Sequence, residues 1–296
     1  MKLRELGEDR LLARLLPALP IHSGVIAGAG DDCAIVDGPK KGNLLVLKTD
    51  CLVERIHFKA SADPALVGWK AMMRPLSDFA AVSGLPEFAL ITLIVPATKS
   101  LSWVEKLYRG TRRAASRFSV SIVGGETSST TGPTAISVSV AGFVEKKRFV
   151  TRRGGKPGDP LFVSGRLGGA LRGKHLRFMP RIEESRWLTA NFRVHAMMDL
   201  SDGLGADLPR LAKASKVGFK IDVEQLPLAS GATIAGAISD GEDYELLFAV
   251  SARDSARLQA IWKRRFPRLA LTQIGSLNRR SKIENRKLSS GYVHFQ

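Results

Sequence analysis

The chain has 296 residues, of which 44% are hydrophobic and 25% are charged, a composition typical of a folded globular protein rather than a disordered one. It contains no apolar run of the ~20 residues that span a membrane, and its N-terminus is too charged for a signal peptide. Two cysteines are too few for a disulfide framework or a structural zinc site. These features predict a cytoplasmic protein, and the length predicts about two domains. The formal net charge of +17 raises the hypothesis of a nucleic-acid partner.

The first half of the chain mixes predicted helices and strands. Apolar residues at helical spacing predict a helix over 3–16, and Asp63 followed by Pro64 predicts the start of a second helix over 63–82. The remaining predicted elements are strands over 43–50, 88–95, 120–123 and 134–144, and a helix over 102–118. This order predicts an α/β unit.

A charged, glycine-rich stretch over 152–159 (RRGGKPGD) is the best candidate linker. It predicts an N-terminal domain over 1–147 and a C-terminal α/β domain over 148–296. In the second half we predict strands over 161–164, 197–200, 219–223 and 245–250, helices over 201–215 and 255–265, and a broken helix over 167–187.

Carboxylates recur in turns and at the ends of predicted strands. These residues are Asp31, Asp32, Asp50, Asp199 and Asp202. Asp78 instead falls within a predicted helix among apolar neighbours, where a carboxylate needs a partner. Hard oxygen ligands favour Mg²⁺, which in turn favours phosphate. Taken singly, each aspartate fits a turn or a helix cap equally well.

Two glycine-rich stretches are candidates for contact with phosphate. Gly124-Gly125-Glu126-Thr127 follows a predicted strand and would allow close backbone approach, although a simple turn is the commoner use of such a sequence. Residues 168–174 have the GxxxxGK spacing of a P-loop, but His175 stands where a P-loop needs Ser or Thr, so we expect none here.

Eight stretches, in order along nearly the whole chain, resemble the thiamine-monophosphate kinase family of the aminoimidazole ribonucleotide synthase superfamily. They are GAGDDCAIVD (28–37), KTDCLVERIHF (48–58), GWKAMMRPLSDFAAVSG (68–84), IVGGETSS (122–129), GDPLFVSGRLGG (158–169), MMDLSDGLGADL (197–208), DGEDYELLF (240–248) and GYVHF (291–295). The resemblance implies a two-domain α/β (α+β) fold whose N-terminal domain dimerises through a β-barrel. It also implies transfer of the γ-phosphate of ATP to thiamine monophosphate, assisted by several Mg²⁺ ions and without an acid–base residue.

The resemblance further implies a role for individual residues. The implied metal set is Asp32, Lys48, Thr49, Asp50, Asp78, Glu126, Asp199 and Asp202. The implied ATP contacts are Gly125, Glu126, Arg152 and Ser201. The implied contacts to thiamine monophosphate are His57, Glu242 and Tyr292.

Three features depart from the family pattern. Glu126 stands where the family has Asp, Lys48 stands where it has a small hydroxyl residue, and the stretch between Gly169 and Met197 is shorter than usual. If the Lys48 side chain faces the site, its ammonium can replace part of a metal ion's charge. Glu126 and Lys48 also motivate the alternative of a degenerate paralogue that binds nucleotide or thiamine phosphate without turnover.

Two further alternatives concern the partner and the reaction. Another ATP-dependent synthase of the same superfamily is disfavoured by the stretch GEDYELLF. The basic excess is confined to residues 146–186 and 253–287, each with a net charge of +9, while the rest of the chain has a net charge of −1. Aromatic residues are sparse in both segments and no nucleic-acid-binding module is recognisable, so we expect no specific nucleic-acid partner and no membrane.

Overall fold

The computed structural model describes residues 2–39 and 41–279, which form two sheets with helices packed around and between them. The helices are α1 (Leu3–Leu6), α2 (Glu8–Leu15), α3 (Pro64–Ala81), α4 (Leu101–Arg117), α5 (Ile182–Asn191), α6 (Leu204–Ser215), α7 (Ile234–Ser239) and α8 (Ser255–Arg265). The strands are β1 (Val25–Ala27), β2 (Ala34–Asp37), β3 (Asn43–Val53), β4 (Leu85–Val95), β5 (Ser121–Ser129), β6 (Ala135–Glu145), β7 (Pro160–Ser164), β8 (Val194–Asp199), β9 (Gly218–Ile221), β10 (Leu246–Val250) and β11 (Leu271–Asn278). Within the two described ranges, no helix has both the length and the apolar character that crossing a bilayer requires.

The first sheet has six strands in the order β1-β2-β3-β6-β4-β5, and the second has five in the order β8-β10-β7-β11-β9. Neighbouring strands are antiparallel except β4 and β5, which are parallel. The predicted α/β (α+β) class is confirmed. Because the sheets are almost wholly antiparallel, a binding site in this fold does not lie at the carboxyl edge of a parallel sheet.

Strand β6 shows how the first sheet is layered. Its alternate residues Val138 and Val140 are buried against the helices, whereas Ser137 and Ser139 lie on the other face. This is the period-two pattern predicted over 134–144. Ser137 and Ser139 are only partly buried, and we call the face that carries them the outer face of the first sheet.

One predicted turn is part of a strand. The prediction ended a strand at Val123, but β5 continues through Gly124-Gly125-Glu126-Thr127 to Ser129 as the edge strand beside β4. A Cβ atom on Gly125 would lie 1.8 Å from the Ile91 carbonyl oxygen, so glycine is required by the close approach of the neighbouring strand. The backbone pairing, and not an apolar side-chain pattern, extends this strand.

Helix α3 begins as predicted. The Asp63 carboxylate accepts a hydrogen bond from the Ala65 N–H at 2.9 Å, and Pro64 occupies the first helical position. The helix is buried along most of its length because it packs against the first sheet, α4, α5 and β8. Its buried side chains include the polar residues Lys70, Ser77 and Asp78. Helix α3 therefore carries charged groups into the region between the two sheets.

Helices α3 and α4 cross in backbone contact. A Cβ atom on Gly110 would lie 1.9 Å from the Ala65 carbonyl oxygen, and one on Gly68 would lie 2.0 Å from that of Leu107. We expect Gly110→Ala to lower the free energy of unfolding by about 1–3 kcal/mol, since the helices must separate to admit the methyl group. Thermal unfolding followed by circular dichroism measures this. Gly132→Ala is the control, because its Cβ would lie 3.4 Å from the nearest heavy atom; equal unfolding midpoints for the two variants would contradict the prediction.

The second sheet is covered on both faces. Phe162 and Phe248 face one hydrophobic cluster together with Trp262 of α8, whereas Leu161 and Leu247 face another that includes residues of α6. The first of these clusters also contains residues of α3 and of the first sheet. The two sheets are therefore joined through a continuous apolar core.

Polar contacts also tie the two halves of the chain together. Arg186 of α5 makes a bidentate ion pair with Glu145, which ends β6, at 2.6 and 2.7 Å. The hydrogen bonds from Arg186 lower the pKa of Glu145 to about 2. Ser185 donates a further hydrogen bond to the Ala80 carbonyl at 2.6 Å. Helix α5 is thus fixed against α3 and the end of the first sheet.

Candidate active site

Three buried carboxylates converge where the two halves meet. Asp32 lies just before β2, Asp78 lies on α3 and Asp199 ends β8, and carboxylate oxygens of all three lie within 4.8 Å of one another. The residues are 2%, 8% and 2% exposed. Burial and neighbouring carboxylates raise the pKa of Asp78 well above its ordinary value and that of Asp199 to about 7. Such a cluster is a strong site for a cation.

Two basic side chains already neutralise part of this cluster. Arg152 donates to both carboxylate oxygens of Asp32, at 2.5 and 3.3 Å. The Lys48 ammonium lies 3.0 Å from Asp78 Oδ1. Burial disfavours the charged lysine, but Asp78 and Asp50 outweigh it and raise the pKa of Lys48, which therefore stays protonated. Since an ammonium has no lone pair, Lys48 in this state is a counter-ion and not a metal ligand.

Asp50 lies near the cluster but has its own partner. Successive residues of a strand point to opposite faces, so Lys48 and Asp50 share the face of β3 that packs against α3. The Asp50 carboxylate pairs with Arg74 of α3 at 3.2 Å. Arg74 also donates to the Cys51 carbonyl at 2.9 Å, which fixes its guanidinium beside the strand.

Three residues of the implied site lie elsewhere. The Thr49 hydroxyl contacts Ser137 and Ser139 at 3.3 and 3.0 Å on the outer face of the first sheet. Glu126 and Gly125 belong to the exposed edge strand β5, where Glu126 Oε1 accepts from the Thr127 N–H at 2.9 Å. The structure therefore does not bring these residues to the buried cluster, and their roles stay predictions.

The loop after β8 continues the acidic surface. Asp202 pairs with Arg210 of α6, and its backbone N–H donates to Asp207 at 3.0 Å. Arg210 also contacts Asp207 at 3.0 Å. Burial and the charge of Asp202 raise the pKa of Asp207 well above its ordinary value. Asp207 was not predicted from the sequence as a site residue, although it stands in the stretch MMDLSDGLGADL.

A cleft of about 560 Å³ opens beside these carboxylates, a volume typical of small-molecule sites. It contains four of the residues that the sequence assigned to ATP, metal or substrate. Its lining includes His57, Arg74, His175, Ser201, Asp202 and Glu242. Arg74 connects the cleft to Asp50, and Ser201 and Asp202 connect it to Asp199. Tyr292, the other predicted substrate contact, lies outside the described residues.

A buried lysine organises one wall of the cleft. Lys70 of α3 pairs with the Glu242 carboxylate and donates to the His57 carbonyl at 2.7 Å. His175 Nδ1 lies 2.8 Å from both Lys70 Nζ and Glu242 Oε2. Burial lowers the pKa of Lys70 to about 8. For Glu242, burial is outweighed by the His175 hydrogen bond and the Lys70 charge, which lower its pKa to about 2. Glu242 is therefore an anion held in place from two sides.

The sequence did not predict Lys70 or His175 as site residues. The available signal for Lys70 was a single charge within the apolar run Val67–Met73, which calls for a buried partner. For His175 there was no comparable local signal, because its partners lie 105 and 67 positions away in the chain.

Residues 168–174 are not a phosphate loop. The Gly168 N–H donates to Asp243 at 2.9 Å and the Gly169 N–H donates to Asp240 at 2.8 Å, so these amides are already bound to carboxylates. Two short 3₁₀ turns, Ala170–Arg172 and Lys174–Leu176, follow in place of the helix that a P-loop needs. The geometry agrees with the rejection of a P-loop from the sequence.

Glu245 anchors this part of the cleft wall to the second sheet. Its buried carboxylate accepts a bidentate pair from Arg181 at 2.7 and 2.8 Å and a further contact from Lys174 at 3.0 Å. The ring of Phe178 stacks on that of Tyr244 with centroids 3.8 Å apart. The shortened segment before α5 is therefore well fixed, and it delivers His175 to the cleft.

The donor set at the carboxylate cluster fits magnesium. Asp32, Asp78 and Asp199 offer only oxygen atoms, which are the ligands that Mg²⁺ prefers. Burial raises the pKa of both Asp78 and Asp199, and the charges of neighbouring carboxylates raise it further. A divalent cation would supply positive charge to the cluster.

Comparison with known proteins identifies the family. The AIR synthase related protein N-terminal domain matches residues 30–144, and the corresponding C-terminal domain matches residues 130–284. The thiamine-monophosphate kinase of Rhodopirellula baltica is 34% identical over 91% of this chain and 92% of its own length, and that of Aquifex aeolicus is 38% identical over 84% and 87%. The solved structure of AaThiL complexed with AMPPCP and TMP is 35% identical, with a TM-score of 0.84 over 99% of both chains. The chain belongs to the thiamine-monophosphate kinase family of AIR synthase-related proteins.

Proposed function

We propose that this chain transfers the γ-phosphoryl group of ATP to the phosphate of thiamine monophosphate, giving ADP and thiamine diphosphate. The observation that carries the proposal is the buried cluster of Asp32, Asp78 and Asp199 beside a cleft of the size of a small-molecule site. The family membership supports the same reaction, because its curated relatives are thiamine-monophosphate kinases and one relative was solved with AMPPCP and TMP.

The chain's own residues can prepare two anionic reactants for this transfer. Mg²⁺ ions, when bound, supply positive charge that offsets the repulsion between the two phosphates. Asp32, Asp78 and Asp199 would hold such ions, with Asp50 and Asp202 as further proposed ligands. No side chain needs to remove a proton, because the acceptor phosphate is already an oxyanion.

The cleft offers groups of opposite character to thiamine monophosphate. His57 Nδ1 accepts the Val53 N–H at 3.0 Å, which orients the ring at the wall of the cleft, and we propose that His57 contacts the phosphate of thiamine monophosphate. Glu242 supplies an anion suited to the cationic thiazolium ring. We further propose Arg152 and Ser201 as contacts to ATP.

The proposal is tested with the purified protein, ATP, Mg²⁺ and thiamine monophosphate. We expect equimolar ADP and thiamine diphosphate, resolved by chromatography. Binding of thiamine monophosphate without product would instead identify a degenerate paralogue, and turnover of formylglycinamidine ribonucleotide would identify another synthase of the superfamily.

We propose that the chain forms a homodimer through the outer face of the first sheet. This face exposes a row of apolar side chains that a monomer would leave in water. Leu47 and Phe88 both pair with Ala141, and Leu90 pairs with Ser139, so these three exposed side chains share the face of Ser137 and Ser139. A barrel formed by two such faces would cover them, in line with the resemblance.

We expect Leu90→Asp to convert the dimer to a monomer, since it places a charge at the centre of the apolar face. Light scattering coupled to size-exclusion chromatography measures the mass directly. Leu101→Asp is the matched control, because Leu101 is 73% exposed at the start of α4, a helix that packs against α3. A Leu90→Asp protein that keeps the dimer mass would refute this interface.

We also propose a cytoplasmic location and a division into domains between residues 147 and 148.

We propose that the chain has no specific nucleic-acid partner. Part of the basic segment 146–186 is already paired with carboxylates of the same chain. The paired residues are Arg148, Arg152, Lys174, Arg181 and Arg186. These side chains are not free to follow a nucleic-acid backbone, which weakens the argument from net charge.

A further inference from the structure

The side chain of Lys48 reaches into the carboxylate cluster. It extends from β3 on the same face as Asp50 and ends 3.0 Å from Asp78 Oδ1, with 23% of the lysine side chain and 11% of the aspartate side chain exposed. Asp78 is one of the three residues whose oxygens lie within 4.8 Å of one another. The Lys48 ammonium therefore lies beside Asp78 Oδ1, an oxygen that a metal ion bound to the cluster would use as a ligand.

The charges around the cluster are unevenly shared. Asp32 is paired with Arg152, Asp50 with Arg74 and Asp78 with Lys48. Asp199 accepts a hydrogen bond only from a neutral group among its described contacts, the Ser77 hydroxyl at 2.6 Å. A divalent cation therefore gains most at Asp199, whereas it must compete with a guanidinium at Asp32 and with an ammonium at Asp78.

We propose that the Lys48 ammonium takes the place of one divalent cation in the Asp32–Asp78–Asp199 cluster. The native chain then binds one metal ion fewer than the same cluster would bind without the lysine. The inference rests on the metal binding in the proposed function, and it goes beyond it by assigning a cation position to a side chain. A positive charge that is covalently attached stays at the site whatever the concentration of free Mg²⁺.

The experiment counts bound Mn²⁺ as a probe for divalent metal. Free Mn²⁺ is measured by electron paramagnetic resonance during titration of the intact protein, without nucleotide. We expect Lys48→Met to bind one more Mn²⁺ per chain than the native protein. The double variant Lys48→Met/Asp78→Asn should return to the native number, because the additional position loses its carboxylate.

A matched control is present in the same chain. Lys99 pairs with Glu54 at 3.2 Å, and the two side chains are 21% and 8% exposed, close to the values of the Lys48–Asp78 pair. Lys99→Met should leave the number of bound Mn²⁺ ions unchanged. If Lys48→Met fails to fold, Lys48→Gln removes the charge while keeping a donor for Asp78.

The outcomes separate this inference from the function on which it rests. Native protein that binds Mn²⁺ with the same stoichiometry as both Lys48 variants overturns the inference alone. A gain of one ion in Lys99→Met as well as in Lys48→Met would also overturn it, since the effect would then be one of net charge. Absence of Mn²⁺ binding by the native protein and all variants would overturn the proposed metal dependence itself.

Discussion

Replacing Asp199 with Asn should reduce kcat for phosphoryl transfer by about 10²- to 10³-fold while the protein stays folded, a loss typical of removing one preorganised electrostatic group. Asp199 is the most suitable position for this test, because its replacement leaves the neighbouring ion pairs intact. Its described partner is the Ser77 hydroxyl, which can donate equally well to an amide oxygen, so no buried cation loses its counter-ion. The asparagine keeps the shape of the side chain and removes only the charge that holds the metal.

The measurement is steady-state turnover at saturating ATP and thiamine monophosphate, with thermal unfolding recorded in parallel. Asp159→Asn is the control, since Asp159 is also buried in the second half but pairs with His195 at 2.8 Å, outside the cluster. It should retain kcat even if its unfolding midpoint falls. If the Asp199→Asn variant turned over at the native rate, this carboxylate would have no role in catalysis.

Replacing Lys70 with Met should raise KM for thiamine monophosphate by about 100-fold and leave KM for ATP nearly unchanged. Truncating one partner of a buried, hydrogen-bonded charge pair weakens binding by about 2–5 kcal/mol, because the other charge is left unpaired, and the lower part of this range corresponds to about 100-fold. Here that charge belongs to Glu242, which would turn towards solvent or take up a proton. The His57 carbonyl would lose its donor at the same time.

Initial rates against each substrate give the two KM values, and the double variant Lys70→Met/Glu242→Gln provides the decisive comparison. Since both single changes break the same pair, we expect the double variant to be much less impaired than the product of the two single effects. A parallel rise in both KM values would show instead that Lys70 supports the fold and does not position Glu242.

The parts of the fold that were predicted correctly carry strong local signals. Asp63-Pro64 marks the start of α3, and the alternation along β6 marks its two faces. The sequence predicts too short a strand here because Gly124-Gly125-Glu126-Thr127 has no apolar pattern. The strand character of β5 comes from pairing with residues of β4 that lie 33 or 34 positions earlier. Long-range backbone pairing leaves no local signature in the sequence.

The sequence predicts only part of the site, again because contacts between distant segments leave no local signal. Sequence motifs identify Asp32, Asp78 and Asp199, which the fold brings together, but they also place Lys48, Thr49 and Asp50 in one metal set. Three consecutive residues of a strand cannot all point to one face, and the structure places Thr49 on the opposite side. Lys70 and His175 were missed because their roles exist only once α3, the segment before α5 and residues 241–245 have come together.

The arrangement of the cleft walls affects the free energy of unfolding when a ligand is bound. The walls are built from the segment that follows β3, from α3, from the segment around His175 and from the loop that carries Glu242, a residue 172 positions from its partner Lys70. A ligand that binds this cleft and not the unfolded chain adds its binding free energy to the unfolding of both sheets together. Saturation with substrate therefore couples the two halves more tightly than their apolar core does alone, so that they unfold as one cooperative unit.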